Sequence, residues 1–352
     1  MQEPPKPPTP SVRLVLALAI ATLGVVLVVA GVAGALAPRA PTTGAGPSPS
    51  VASAASGGDA LASTTPSEPP QGASPSASSA TPVASASGDP VLVGAGDIGR
   101  CGSTDDDATA SLREQTPGLV FTLGDNAYDS GTAREFRDCY APSWGRVLDR
   151  TAFAVAGNHD YGTPGAAGFK AYFGNAGVRD GVTWFSQDVA TWHVIVLDAD
   201  CGAVGGCGAG SPQGQWLQAD LAASRARCTL ALWHQPRFSS GLHGNDTDVA
   251  PFWDALYAAG ADLVLNGHDH DYERFAPQDP GGRADPARGI TEIVVGTGGA
   301  SLRDFGTTAP NGIVRSSLAH GVLVLTLRPS GWDFLFLSTD GSFSDQGTGA
   351  CH

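Results

Sequence analysis

A chain of 352 residues with 34 acidic against 20 basic side chains carries a formal charge of -14. Residues 1–89 hold three of the basic and four of the acidic residues, so the remainder carries 17 against 30. So acidic a surface excludes a nucleic-acid binder, whose affinity rests on Lys and Arg against phosphates. It would also repel a phosphate substrate unless cations inside a site reverse the local field.

In chain order, residues 1–13 read as a cytoplasmic tail bearing Lys6 and Arg13. From Leu14 to Ala37 there are 24 residues without a charge. At ~1.5 Å per residue that run spans a bilayer core of ~30 Å, and the basic flank places the tail inside. A cleaved signal peptide is the rival reading, with Ala35-Leu36-Ala37 as a small-residue cleavage site before Pro38. Either way the rest is extracytoplasmic, membrane-anchored by 14–37 or secreted. Residues 38–89 are almost entirely Ala, Ser, Pro, Thr and Gly, which bury too little apolar surface to offset the entropy of ordering, so they read as a disordered linker. All seven Trp and thirteen Phe lie beyond it, and 90–352 is the expected catalytic domain. Its six cysteines allow ~15 pairings. Cys201 and Cys207, bracketing a Gly-rich loop, are the favoured local pair, and no C-x-x-C spacing points to a thiolate metal site.

Short apolar, β-branched runs predict strands over 91–95, 119–123, 152–156, 194–197, 230–233, 263–265, 293–295, 322–327 and 334–337. Helices are expected from a Ser103 or Thr104 cap through Gln115, over 213–223 and over 251–259. The alternation specifies an α/β domain with packed sheets and helices outside. Five of these strands run into a Gly or a tight turn that presents Asp, Asn or His. They are Gly96-Asp97, Gly124-Asp125 with Tyr128, Gly157-Asn158-His159, His234, and Gly267-His268-Asp269-His270. In α/β sheets ligands bind at the carboxyl ends of strands, so these side chains should converge. A Gly-Asp pair alone is usually a turn; five such endings in one chain are not accounted for by turns. Carboxylate, phenolate, imidazole and amide oxygen together suit Fe, Zn or Mn rather than a soft, thiophilic metal.

Taken in order, GD-x-G, GD-x-x-Y, GNH-D, a lone His and GH-x-H over Gly96–His270 resemble the calcineurin-like metallophosphoesterases, and among them the compact, single-domain purple acid phosphatases. Most of that family carry D-x-H in the first block; here Gly99 stands in place of the His, and Tyr128 supplies a ligand instead. The resemblance implies a four-layer α/β/β/α sandwich with two mixed sheets packed face to face. It also implies two metal ions. Asp97, Tyr128 and His270 would hold Fe(III), Asn158, His234 and His268 would hold divalent Fe, Zn or Mn, and Asp125 would bridge. The implied activity is hydrolysis of small phosphate monoesters by metal-activated hydroxide, with His159 and His243 beside the substrate as catalytic residues. A phosphodiesterase or nucleotidase would use the same ligands. A tethered, non-catalytic binding module is the reading from a different class, suggested by the long spacer. His193 reads as structural, and Asp160, Asp198, Asp269 and Arg274 as supporting residues around the site.

Overall fold

The structure is a computed structural model and describes residues 88–352. The expected tail, the apolar segment 14–37 and residues 38–87 of the expected linker lie outside the described residues. Among the described residues no helix is long and apolar enough to cross a membrane.

The first half of the domain runs β1 (Val91–Ala95), β2 (Gly99–Arg100), α1 (Asp105–Gln115), β3 (Leu119–Leu123), β4 (Ala127–Tyr128), α2 (Ala133–Glu135), β5 (Thr151–Val155), α3 (Ala167–Phe173), β6 (Phe185–Val189) and β7 (Trp192–Val196). The second half continues through α4 (Pro212–Ala223), β8 (Cys228–Leu232), α5 (Ala250–Ala259), β9 (Leu263–Asn266), β10 (Tyr272–Phe275), β11 (Thr291–Val295), β12 (Gly312–Ser316), β13 (Gly321–Arg328), β14 (Gly331–Ser338) and β15 (Ser344–Ala350). They form a six-stranded sheet in the order β15-β14-β13-β1-β3-β5, a seven-stranded sheet in the order β12-β10-β11-β9-β8-β7-β6, and a small β2-β4 pair. Both large sheets are mixed: β1-β3-β5 and β7-β8-β9-β11 are parallel, with antiparallel strands outside them.

Strand alternation accounts for the layers. Along β7, Trp192, Val194 and Val196 enter the core that also holds Phe121, Phe153 and Val155 of the first sheet. Ile195 and Leu197 turn instead to a second core, shared with Leu217 of α4 and with Phe252, Trp253 and Leu256 of α5. With a period of two, one strand thus serves an inter-sheet layer and a helix layer. Covered on both faces, β7, β9 and β11 are buried along their whole length, as parallel sheets require. This is the four-layer arrangement that the resemblance implied.

The nine expected strands and three expected helices are present, with ends displaced by at most three residues and the strands 91–95 and 119–123 unshifted. Thr104 is the residue before α1 but gives no side-chain cap; Ser103 Oγ accepts from the Asp105 N–H instead, at 3.2 Å. The cysteines pair as Cys101–Cys139, Cys201–Cys207 and Cys228–Cys351, so the expected local bridge forms. His193 is held between Asp188 and Asp220 at 2.8 Å each, away from the site loops. Arg274 pairs with Asp345.

Candidate metal centre

All five strand endings lie at the carboxyl ends of parallel strands, β1, β3 and β5 in one sheet and β8 and β9 in the other. Hydrogen bonds given by backbone N–H groups stitch the two sheets together there. The Gly96 N–H donates to Val295 O at 2.8 Å, and the His268 N–H donates to Asp97 Oδ2 at 2.8 Å. Asp97, Asp125 and His268 have φ of 60°, 50° and 70°, a region that non-glycine residues seldom occupy. Three candidate ligands therefore carry local strain, of the kind that persists where surrounding structure over-determines it. The preceding glycines are required by close approach. A Cβ on Gly157 would lie 2.3 Å from Asp125 Oδ1, and one on Gly124 would lie 2.4 Å from His234 Nδ1.

The side chains gather into two sets that share Asp125. Tyr128 Oη lies 3.0 Å from Asp97 Oδ1, 3.1 Å from Asp125 Oδ2 and 3.2 Å from His270 Nε2. On the other side, His234 Nε2 lies 3.3 Å from Asp125 Oδ1 and 3.3 Å from His268 Nδ1. Asn158 Oδ1 is buried and has no hydrogen-bond partner. Two imidazoles are oriented by carbonyls, which can only accept: Leu123 O takes the Nδ1–H of His234 and Ser301 O that of His270, at 2.6 and 2.8 Å. In each case Nε2 faces the cluster and, once a cation displaces any proton there, offers it a lone pair.

These groups fit cations. One phenolic hydrogen cannot serve two carboxylates and an imidazole at once, and Asp97, Asp125, Tyr128 and His234 are all at most 3% exposed. Without a cation the cluster can balance itself only by holding protons. Burial disfavours a charged His234, yet the carboxylates of Asp125 and Asp97 outweigh it and push its pKa up to about 10. Burial and the same two carboxylates push the Tyr128 phenol well above its ordinary value. Burial and the neighbouring imidazoles of His234 and His243 hold His268 down to about 3. A cation would displace these protons, so binding would release them.

The two histidines expected beside the substrate stand on opposite rims. His159 gives its Nδ1–H to Asp129 O at 2.7 Å, its ring lies 4.5 Å from that of Tyr128, and Nε2 is 3.9 Å from Asp125 Oδ2. His243 packs its ring 4.2 Å from that of His268, and its backbone N–H donates to Asp269 Oδ1 at 2.9 Å. Asp160 lies beneath, accepting from Gly157 N and Asn126 Nδ2, both at 2.9 Å.

The sequence reading passed over a sixth ending. After β11, Gly296-Thr297-Gly298-Gly299 leads into a segment bonded to the site loops: Gly298 N to Gly96 O, Ala300 N to Asp97 O, and Arg303 N to His270 O, at 2.8, 2.8 and 3.1 Å. The glycine cluster after a strand was its one visible signal.

A family model described as calcineurin-like phosphoesterase matches residues 91–272, just over half of the chain. The chain belongs to the calcineurin-like phosphoesterase family. Among its phosphoesterase relatives, Purple acid phosphatase 18 of Arabidopsis thaliana is 32% identical over 151 residues, which is 40% of this chain and 33% of that protein. The chain therefore spans about a third of that relative's length. The structure of the purple acid phosphatase PPD1 from yellow lupin (Lupinus luteus) seeds matches with a TM-score of 0.57 and 18% identity, covering 74% of this chain and 53% of that one. GAP50, described as the anchor in the inner membrane complex of Plasmodium, matches with a TM-score of 0.57 and 17% identity, over 75% of this chain and 89% of its own. At such identities the two structures speak for the phosphoesterase fold alone.

Proposed function

We propose that this chain hydrolyses phosphate monoesters at a site for two cations. The observation that carries the proposal is the division of ligand atoms between the two oxygens of Asp125, Oδ2 facing Tyr128 and Oδ1 facing His234. Asp97, Tyr128 and His270 would hold the first ion, where two carboxylates and a phenolate suit Fe(III). Asn158, His234 and His268 would hold the second, where an amide oxygen and neutral imidazoles suit divalent Fe, Zn or Mn. Bound there, the pair of ions would supply Lewis acidity and an activated water at ordinary pH. The same fold occurs in an anchor protein, so the reading as an enzyme rests on this complete donor set and not on the fold.

The chain's own residues supply the remainder. Leu123 O and Ser301 O fix the imidazole orientations, and the inter-sheet bonds fix the spacing of the loops. His159, anchored through Nδ1 on Asp129 O, holds Nε2 at the mouth. From there that nitrogen is within reach to hand a proton to the leaving alkoxide. The three disulfides support an oxidising compartment. We read residues 14–37 as the export segment and 38–89 as the spacer ahead of the catalytic domain.

The test is hydrolysis of p-nitrophenyl phosphate by the purified domain, together with its visible spectrum. The expected result is turnover, with a phenolate-to-iron absorption band that Tyr128→Phe abolishes. A colourless, iron-free but fully active protein would refute the iron assignment. Absence of turnover with both ions loaded would refute the reaction.

A further inference from the structure

We propose that Arg303 is a phosphate-binding residue of this site, held over the His268 side of the mouth by His243; this rests on the phosphoesterase reading above. The segment that carries Arg303 is fixed. Its N–H donates to His270 O at 3.1 Å, and the preceding residues are bonded through Ala300 N to Asp97 O at 2.8 Å and through Ser301 O to His270 Nδ1 at 2.8 Å. Three residues on, Gly306 N donates to Ser240 O at 2.7 Å. A Cβ on Gly296 would come within 1.9 Å of Asp269 O, so the segment enters this path only without a side chain there. The backbone that orients the ligands His270 and Asp97 therefore also sets the base of the arginine.

The guanidinium is set apart by its position, against a histidine whose ring packs on that of the candidate ligand His268. Acidic residues outnumber basic ones in this chain, and Arg100, Arg137, Arg146, Arg274, Arg283 and Arg328 each pair with a carboxylate. Arg303 pairs with none among the described residues; Arg113, Arg150 and Arg315 also lack a carboxylate, but they give N–H groups to carbonyls or a threonine hydroxyl, which Arg303 does not. Its one side-chain partner is His243 Nε2, 2.5 Å from Nη1. A guanidinium carries five N–H donors in a planar fork that matches phosphate oxygens. One donor is spent on an imidazole, and the other four have no partner among the described residues, which leaves them able to take phosphate oxygens.

The contact also reassigns His243. A nitrogen that accepts from Arg303 carries no proton to give, so His243 acts through Arg303 as a positioning residue and not as a proton donor. A monoester has more terminal charge to offer the fork than a diester, so Arg303 favours monoesters.

The experiment titrates inorganic phosphate into the metal-loaded domain by calorimetry and measures p-nitrophenyl phosphate and bis-p-nitrophenyl phosphate turnover, for the wild type, R303Q, R303K and H243A. R303Q should weaken phosphate binding and monoester kcat/KM roughly ten- to hundredfold, the size expected of hydrogen bonds to a charged group. Diester turnover should fall less, with metal content and melting temperature unchanged. R303K should lie between the wild type and R303Q. H243A should weaken phosphate binding less than R303Q does and add little on top of it, leaving the pH profile of kcat in place. Unchanged phosphate affinity and an unchanged monoester-to-diester ratio in R303Q would overturn the proposal; if that variant fails to fold, full affinity in R303K would do so. Phosphate binding is read without turnover, so an inactive wild type would count against the enzymatic reading while this proposal is still decided.

Discussion

The middles of the strands and their carboxyl ends follow opposite rules. Between the sheets, Phe121, Phe153, Trp192 and Val194 are fully buried apolar side chains on regular strands. A few residues farther along, Asp97, Asp125 and His268 sit at positive φ, buried carboxylates crowd one another, and Asn158 Oδ1 has no partner. Folding is driven by the first region, while the second draws on that stability to hold groups that would otherwise separate. Local rules broken at a site and kept elsewhere are the signature of function.

Three substitutions sharpen that contrast. The largest effect should come from Asp125→Asn, which removes the carboxylate shared by both ligand sets. Turnover should fall by roughly a hundredfold or more, with metal content below two per chain and little loss of folding stability. Retention of both ions at full turnover would break the contrast. Phe121→Ala should do the reverse: about 3–5 kcal/mol of stability lost in a denaturant titration, with metal content and turnover per folded molecule intact. A loss below about 1 kcal/mol would show that the inter-sheet core tolerates the cavity.

The smallest effect concerns Asp198, which accepts from Tyr161 Oη at 2.6 Å and from Thr183. Burial pushes its pKa up to about 6. The folded chain thus keeps this proton to about pH 6, whereas the unfolded chain releases it near ~3.9. The contribution of this carboxyl is full below about pH 4 and declines by about 3 kcal/mol by pH 7. Asp198→Asn should flatten that part of the stability profile; an unaltered slope would place the titration elsewhere.

Much of this was legible in the sequence. Interior strands showed because their residues are apolar on both faces. Strands β6, β12 and β15 did not, because Ser186, Gln187 and Asp188, or the Gly, Ser and Thr of β15, give no apolar run; neighbouring backbones hold them in place. Strand β10 was hidden in Tyr272-Glu273-Arg274-Phe275 directly after the histidines. The candidate ligands were legible because each follows a strand and a glycine or tight turn. Arg303 was not, because it stands seven residues past Gly296 and reaches the site through the backbone bonds of the intervening segment.

The most direct measurement is anomalous diffraction from crystals of the metal-loaded domain. Two peaks about 3.5–4 Å apart, one beside each carboxylate oxygen of Asp125, are the predicted result. A single peak, or two that do not share Asp125, would contradict the account.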